Sequence, residues 1–550
     1  MGLTAFTGYL PERVSDFVMI ILGLSVITVT VLVLYRLCLS PLASIPEPKF
    51  AAATRWYEFY FDCVLPGKFF LEIERMHKSY GPIVRISPDE VHINDPEYFS
   101  QLHSFSLKLD KCGWYYNFAA SPTAGFSTAS HELHRIRRGA LAKYFSMSNV
   151  ARLEPLIQSC VTRLCSRFEE HRKEGTVVDL SSAYRCLASD VIMEYALPHS
   201  RRLLDSSDFA ASYHRVVRNL GRTGLWNRQF PFIIPFFRAI PRCIIAKLDP
   251  GPALSLADFQ IENWTKSLRD NAFSIISSGR RNEPVEAKAT VLQELYQSDL
   301  PDSEKTVQRF IEEAQTLLVA GSETTGNTLT LTTFYLLADP ERAGKLKQEL
   351  VQVKRDQDSP LVYHDLQRLP YLTASITEGL RISSSVAGRL PRINPDVAMR
   401  YNDFVIPAGV TVSMSIRDVN LNETIFPDAN HFNPERWLGD SEKRQALEKY
   451  MVAFKQGFVE AEALAQPGYI AGVEVFHRLH CLVRQFALRD WYPERLVPTL
   501  LKFNSPTVAR THVNHYIEAL RAALTCNADL KPYLWYKYLD EEDGPAKEDF

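Results

Sequence analysis

Ala320-Gly321-Ser322-Glu323-Thr324-Thr325 lies inside the longest helical pattern of the chain, and its reading sets the fold. That pattern runs from near Asp302 to Ala338, opened by the capping candidates Asp302 and Ser303 and closed at Asp339-Pro340. A helix of this length spans about 55 Å, enough to cross an entire domain. Small residues at 320 and 321 let a flat ligand approach the backbone, and a carboxylate beside a hydroxyl can hold a water or bond freed carbonyls. The plainer alternative is a packing glycine among surface polar residues.

Further motifs follow in order. Glu378-Gly379-Leu380-Arg381 places a glutamate and an arginine three apart on one helix face, where they form a bidentate pair. Leu390-Pro391-Arg392 comes next, and then Phe432-Asn433-Pro434-Glu435-Arg436-Trp437. Each is common alone; their order and spacing carry the weight. Read together, A-G-x-E-T-T, E-x-x-R and P-E-R-W resemble the cytochrome P-450 superfamily, over residues 17 to 457. Ala53-Thr54-Arg55-Trp56-Tyr57-Glu58-Phe59-Tyr60 and Gly81-Pro82-Ile83-Val84-Arg85-Ile86 are similar to fungal secondary-metabolism members of the trichodiene-oxygenase type.

The resemblance implies a mostly α (α+β) cytochrome P-450 fold with an N-terminal transmembrane helix and a short helical C-terminal extension. It implies a haem-dependent monooxygenase of mycotoxin or terpenoid biosynthesis, using haem b, molecular oxygen, an apolar small-molecule substrate and NADPH-cytochrome P-450 reductase. By the same resemblance Thr324 and Glu323 relay protons on the distal haem face. Glu378, Arg381 and Arg436 form a structural triad. His134 and Arg138, at i and i+4 in His134-Arg135-Ile136-Arg137-Arg138, join Arg392 as candidates for the haem propionates, because guanidinium matches carboxylate geometry. His134 read as a capped surface histidine is the alternative.

The signature stops short of its metal ligand. Phe454 and Gly457 begin the family's F-x-x-G-x-R-x-C loop, but Val459 stands for its arginine and Ala461 for its cysteine, so no haem axial cysteine is found there. Alanine cannot ligate iron, and a thiolate is what favours O–O cleavage in this family. Beyond it, Tyr469-Ile470-Ala471-Gly472-Val473-Glu474-Val475-Phe476-His477-Arg478-Leu479-His480-Cys481-Leu482 resembles the UstYa-like fungal oxidases, marked by two H-x-x-H-C motifs. The second appears as His512-Val513-Asn514-His515-Tyr516, with tyrosine for cysteine. His477, His480, His512 and His515 are candidate ligands for a copper ion, since histidines three apart share a helix face. Histidines left on a helical remnant are the structural alternative. Three functions stay open: a monooxygenase, a metal-dependent oxidase module on an inactive scaffold, and a non-enzymatic fused or mis-spliced product.

The whole chain sets the surroundings. Its 550 residues carry 62 Lys+Arg against 64 Asp+Glu, a formal charge of -2, which lacks the basic surplus of a nucleic-acid binder. Nine scattered cysteines favour a reducing compartment. Phe17 to Tyr35 is an uninterrupted apolar stretch fit to span a bilayer, and Arg36, Lys49 and Arg55 collect beyond it. The expected organisation is a lumenal tail (1–16), a span (17–35), a proline-rich hinge (36–49), a P-450-like domain (50–457), a partial UstYa-like module (466–539) and an acidic tail (540–550). A single pass through the endoplasmic reticulum membrane, body toward the cytosol, follows from the positive-inside rule.

Overall fold

The computed structural model describes residues 9–452, apart from 105–106, 147–148, 150, 234–235, 237–251, 281–288 and 354–362. The fold is mostly helical. α1 (Tyr9–Leu34) leads to α2 (Lys49–Ala53), α3 (Trp56–Phe59) and α4 (Phe69–Tyr80). The hairpin of β1 (Ile83–Ser87) and β2 (Glu90–Ile93) precedes α5 (Pro96–Leu102), β3 (Asp110–Lys111), α6 (Gly113–Tyr116) and α7 (His131–Ala142). Then come α8 (Glu154–Glu174), α9 (Leu180–Ala196), α10 (Ala211–Gln229), α11 (Pro252–Arg280), α12 (Val291–Gln297) and the long α13 (Val307–Leu337). α14 (Pro340–Val353), α15 (Tyr363–Leu366) and α16 (Pro370–Ser383) lead into β4 (Arg392–Ile393), β5 (Met399–Tyr401), β6 (Phe404–Ile406) and β7 (Thr411–Ser413), followed by α17 (Ile416–Asn420) and α18 (Ser441–Glu448).

Five strands form one sheet in the order β1-β2-β7-β4-β3. β2 and β7 run parallel, pairing Glu90 with Thr411, while the other neighbours are antiparallel. The sheet thereby joins the N-terminal part of the chain to the segment after α16. The largest apolar core gathers α8, α9, α11, α12 and α13, with Leu187, Leu204 and Leu329 fully buried. Small residues explain how α9 lies so close along α13: a Cβ on Gly321 would come 3.0 Å from Ile192 Cγ1, and one on Gly326 would come 2.5 Å from Arg185 Cγ.

The long helix begins later than its sequence pattern predicts. Asp302–Glu304 is a single 3-10 turn, and the Thr306 hydroxyl accepts from Arg309 N at 3.3 Å to cap α13. Glu304 is held in that turn by Arg137 Nε at 2.7 Å and Arg309 Nε at 3.0 Å, so its carboxylate serves a tertiary ion pair.

α1 presents an apolar surface throughout, with Phe17, Ile21, Leu24 and Val29 all exposed, and continues as a π turn over Tyr35–Leu39. Asp16–Leu39 is long and apolar enough to cross a membrane by length and composition. The proline-rich segment after it is seated on the body, with Leu42 and Ile45 buried. Arg85 fastens it: from a fully buried position its Nη1 donates to Arg36 O and Glu47 Oε2, each at 2.8 Å, and Nη2 donates to Pro88 O at 2.8 Å. Arg36 in turn reaches Ala53 O at 2.8 Å.

Removing one partner of a buried ion pair costs about 3–5 kcal/mol, because the other charge stays behind uncompensated. Arg85→Ala should therefore lower unfolding stability by that order in denaturant titration. Trypsin should then cut sooner at Arg36 and Lys49 than in the wild type; unchanged cleavage would show that Arg85 does not secure this segment.

Candidate active site

α13 carries the A-G-x-E-T-T stretch without interruption. Gly321 is spent on packing against Ile192 of α9, which corrects its assignment to ligand approach; no carbonyl is freed by a bend here. Ala320 is the exposed small residue, and Thr324 Oγ1 donates to its carbonyl at 2.8 Å. Ala320 and Thr324, one turn apart, leave an accessible strip on a helix otherwise covered by α9, α11 and α16. Glu323 is turned toward α9, where its Oε2 accepts from Arg185 Nε at 2.9 Å. Its Oε1 is buried without a hydrogen-bond partner. A carboxylate oxygen left unsatisfied is costly, and such groups mark functional positions more often than packing ones.

α16 holds the E-x-x-R pair as the sequence predicts. Arg381 donates Nε to Glu378 Oε2 at 2.9 Å and Nη2 to Oε1 at 2.7 Å, with both side chains fully buried. Arg436 Nε adds 3.1 Å to Oε1, Trp437 Nε1 adds 2.9 Å to Oε2, and Asn433 N adds 3.0 Å to Oε1. Arg381 also donates to Asn420 O at 2.7 Å and His431 O at 3.3 Å. The triad of Glu378, Arg381 and Arg436 thus ties α16 to α17 and to the P-E-R-W turn. Gly379 makes room for it: any side chain there would collide with Thr332 of α13.

From α16 the chain turns back toward the sheet through Leu390, whose φ of +41° is in the left-handed region and is strained for a branched residue. Its neighbours hold it there. Arg389 donates Nε to Glu90 Oε1 at 2.6 Å and Nη2 to Glu58 Oε1 at 2.7 Å, and burial's pull on that guanidinium is outweighed by the two carboxylates. Arg228 joins the cluster at 3.2 Å from Glu58 and also pairs with Asp62. The sequence gives no cue to this cluster, because its members come from four distant segments.

Arg392 then lies in β4, half-buried, and no described residue bonds its guanidinium. β4 pairs Arg392 with Lys111 of β3, and neighbouring Asp110 Oδ1 accepts from His131 N at 2.7 Å, the first residue of α7. That ladder brings the first turns of α7 beside Arg392. His134 is buried and Arg138 half-buried on α7. His103, also close, is held neutral by burial and then by Arg392. An unpaired arginine beside buried imidazoles is a fitting place for anionic carboxylates.

The described cysteines are not poised as thiolates: burial raises Cys63, Cys160 and Cys165 to about 12 and raises Cys112 and Cys186 as well. Position 461 and the candidate ligands His477, His480, His512 and His515 lie outside the described residues.

A long central helix with an acid and an alcohol one residue apart, an E-x-x-R pair closed by the P-E-R-W turn, and an arginine on the returning strand define a haem-monooxygenase scaffold. The family model described as Cytochrome P-450 matches residues 56–457, and the chain belongs to that family. Residues 437–548 match the model described as Mycotoxin biosynthesis protein UstYa, overlapping the first match at 437–457. Among curated relatives, a cytochrome P-450 monooxygenase of Ascocoryne sarcoides is 36% identical over 467 residues, covering 83% of this chain and 89% of the relative. A tryptophan 6-hydroxylase of Fusarium equiseti is 38% identical over 427 residues, with coverages of 78% and 82%. The monooxygenase TRI4 of Trichoderma arundinaceum is 36% identical over 434 residues, with coverages of 77% and 80%. The family implies haem; the distal strip, Glu323 and the unpaired Arg392 fit its distal face and propionates.

Glu378→Gln keeps shape but leaves Arg381 without its counter-charge, so it should cost about 3–5 kcal/mol in chemical unfolding. Arg436→Ala should cost less, since Arg381 and Trp437 still bond the carboxylate. Equal losses would contradict the central place given to Glu378. Gly326→Ala must push α9 off α13 at Arg185, an overpacking change worth about 1–3 kcal/mol. A Tm unchanged by that substitution would contradict the close contact.

Proposed function

We propose that this chain retains the substrate-side scaffold of a fungal secondary-metabolism monooxygenase but does not itself supply the thiolate that its oxygen chemistry requires. One observation carries the proposal: Ala461 occupies the cysteine's place in a chain whose other family motifs are complete. In this family haem supplies activated oxygen for insertion into an apolar C–H bond, as the tryptophan 6-hydroxylase relative's name indicates for an aromatic ring. Thr324 Oγ1 would hold a proton at the distal strip and Glu323 would exchange it with water, through the oxygen that has no hydrogen-bond partner. Arg392, with His134 and Arg138, would hold the propionates. The substrate class is an apolar aromatic or terpenoid skeleton, electrons come from an NADPH-dependent reductase, and the body sits on the cytosolic face of the endoplasmic reticulum membrane below α1. That orientation leaves the sequons at Asn263 and Asn422 unglycosylated.

The match of residues 437–548 to the UstYa model favours a second reading, in which His477, His480, His512 and His515 bind copper and carry an oxidase activity. The two readings separate in one set of assays on the purified full chain. Supplied with haem, reductase and NADPH, it should insert no oxygen into indole or terpene substrates; a hydroxylated product would overturn the first reading. Stoichiometric copper, lost in a His477→Ala, His480→Ala variant, would establish the second, and a copper-free protein would eliminate it.

A further inference from the structure

His77 of α4, His92 of β2 and Asp418 of α17 form one buried array drawn from three elements. His77 Nδ1 lies 2.7 Å from Gly81 O, and His77 Nε2 lies 2.7 Å from His92 Nδ1. His92 Nε2 faces Asp418 Oδ2 at 3.9 Å and is buried with no hydrogen-bond partner among the described residues. A carbonyl oxygen only accepts, so His77 Nδ1 carries the hydrogen. In neutral His77 the Nε2 is then bare and must accept from His92 Nδ1. Neutral His92 consequently turns a bare Nε2 toward a carboxylate, two acceptors with no hydrogen between them. One proton would resolve the conflict.

We propose that His92 and Asp418 share a single proton near neutral pH, and that losing it loosens the contact between β2 and α17. Every neighbouring charge bears on that proton. On α17, Arg417 Nη1 stands 3.9 Å from Asp418 Oδ1 but is drawn to Glu74 Oε2 of α4 at 3.0 Å. Glu74 also receives Lys78 Nζ at 2.8 Å, and Arg389 acts on His92 at longer range. Burial pushes Asp418 up to about 7, with Arg417 opposing and Glu74 adding. Burial, then His77 and Arg389, hold His92 well below the usual histidine range, and burial lowers His77 against its Gly81 bond. The proton therefore rests on the Asp418 side. Two residues on, Asn420 O accepts from Arg381, so the array touches the same helix that the E-x-x-R arginine braces.

The sign follows from linkage. Asp418 has a raised value in the fold, so its contribution is full below the ordinary carboxylate range and is lost as pH rises through about 7. The two histidines have lowered values, so theirs is lost as pH falls below the ordinary histidine range. Asp418→Asn keeps a donor for His92 at every pH, and the histidine part cancels in the comparison. Thermal unfolding of the full chain on both sides of about pH 7 should show the variant gaining on the wild type as pH rises. The wild type should also show a protonated-carboxyl infrared band that titrates near 7 and is missing from the variant. Parallel unfolding curves, or no such band, would overturn the proposal. If Asp418→Asn does not fold, His92→Gln provides the decision: a displaced band midpoint supports the shared proton, and an unmoved one overturns it.

Discussion

The Glu378 carboxylate is the constraint on which the proximal half of the molecule depends. A fully buried anion is tolerated only when every lone pair is engaged, and here two arginines, an indole N–H and a backbone N–H engage it. Those donors come from α16 and from the P-E-R-W turn, some 50 residues later, so one carboxylate fixes how two remote segments meet. Arg381 extends the constraint to α17, and Gly379 lets α16 lie against α13. The distal helix and its proximal brace thus share one rigid interface.

A second group of charges does the same for the sheet side. Arg389 with Glu58 and Glu90, and Arg228 with Glu58 and Asp62, bind α3, β2, α10 and the turn before β4. That cluster holds Leu390 at positive φ and so sets where Arg392 emerges. Arg85 performs the same task for the segment behind the membrane anchor. Buried ion pairs of this kind add little net stability over apolar packing, but breaking one is expensive, so they specify a unique arrangement.

What was legible in the sequence was local or periodic. Glu378 and Arg381 are three apart on one helix, so their pairing could be foreseen, and alternation gave β1 and β2 nearly to the residue. The helical pattern around 302–338 was right in kind but early in its start, because Thr306 caps the helix while Glu304 is claimed by arginines far along the chain. Gly321 was misread because a glycine that admits a ligand and one that admits a neighbouring helix look alike in sequence; only Ile192 at 3.0 Å separates them. Arg85, Arg389 and the His77–His92 pair carried no signal, since each finds its partner through tertiary contact.

The scaffold is packed as far as Val452, which is buried against the sheet core, while Lys449 reaches Glu97 at 2.7 Å. Only nine residues farther on, Ala461 occupies the place of the metal-binding cysteine. The central claim is that this polypeptide has the family's frame without its sulfur ligand. The carbon monoxide difference spectrum of the reduced, haem-supplied protein tests it most directly. The account predicts no absorption band of a thiolate-ligated haem; its appearance at stoichiometric intensity would contradict the account.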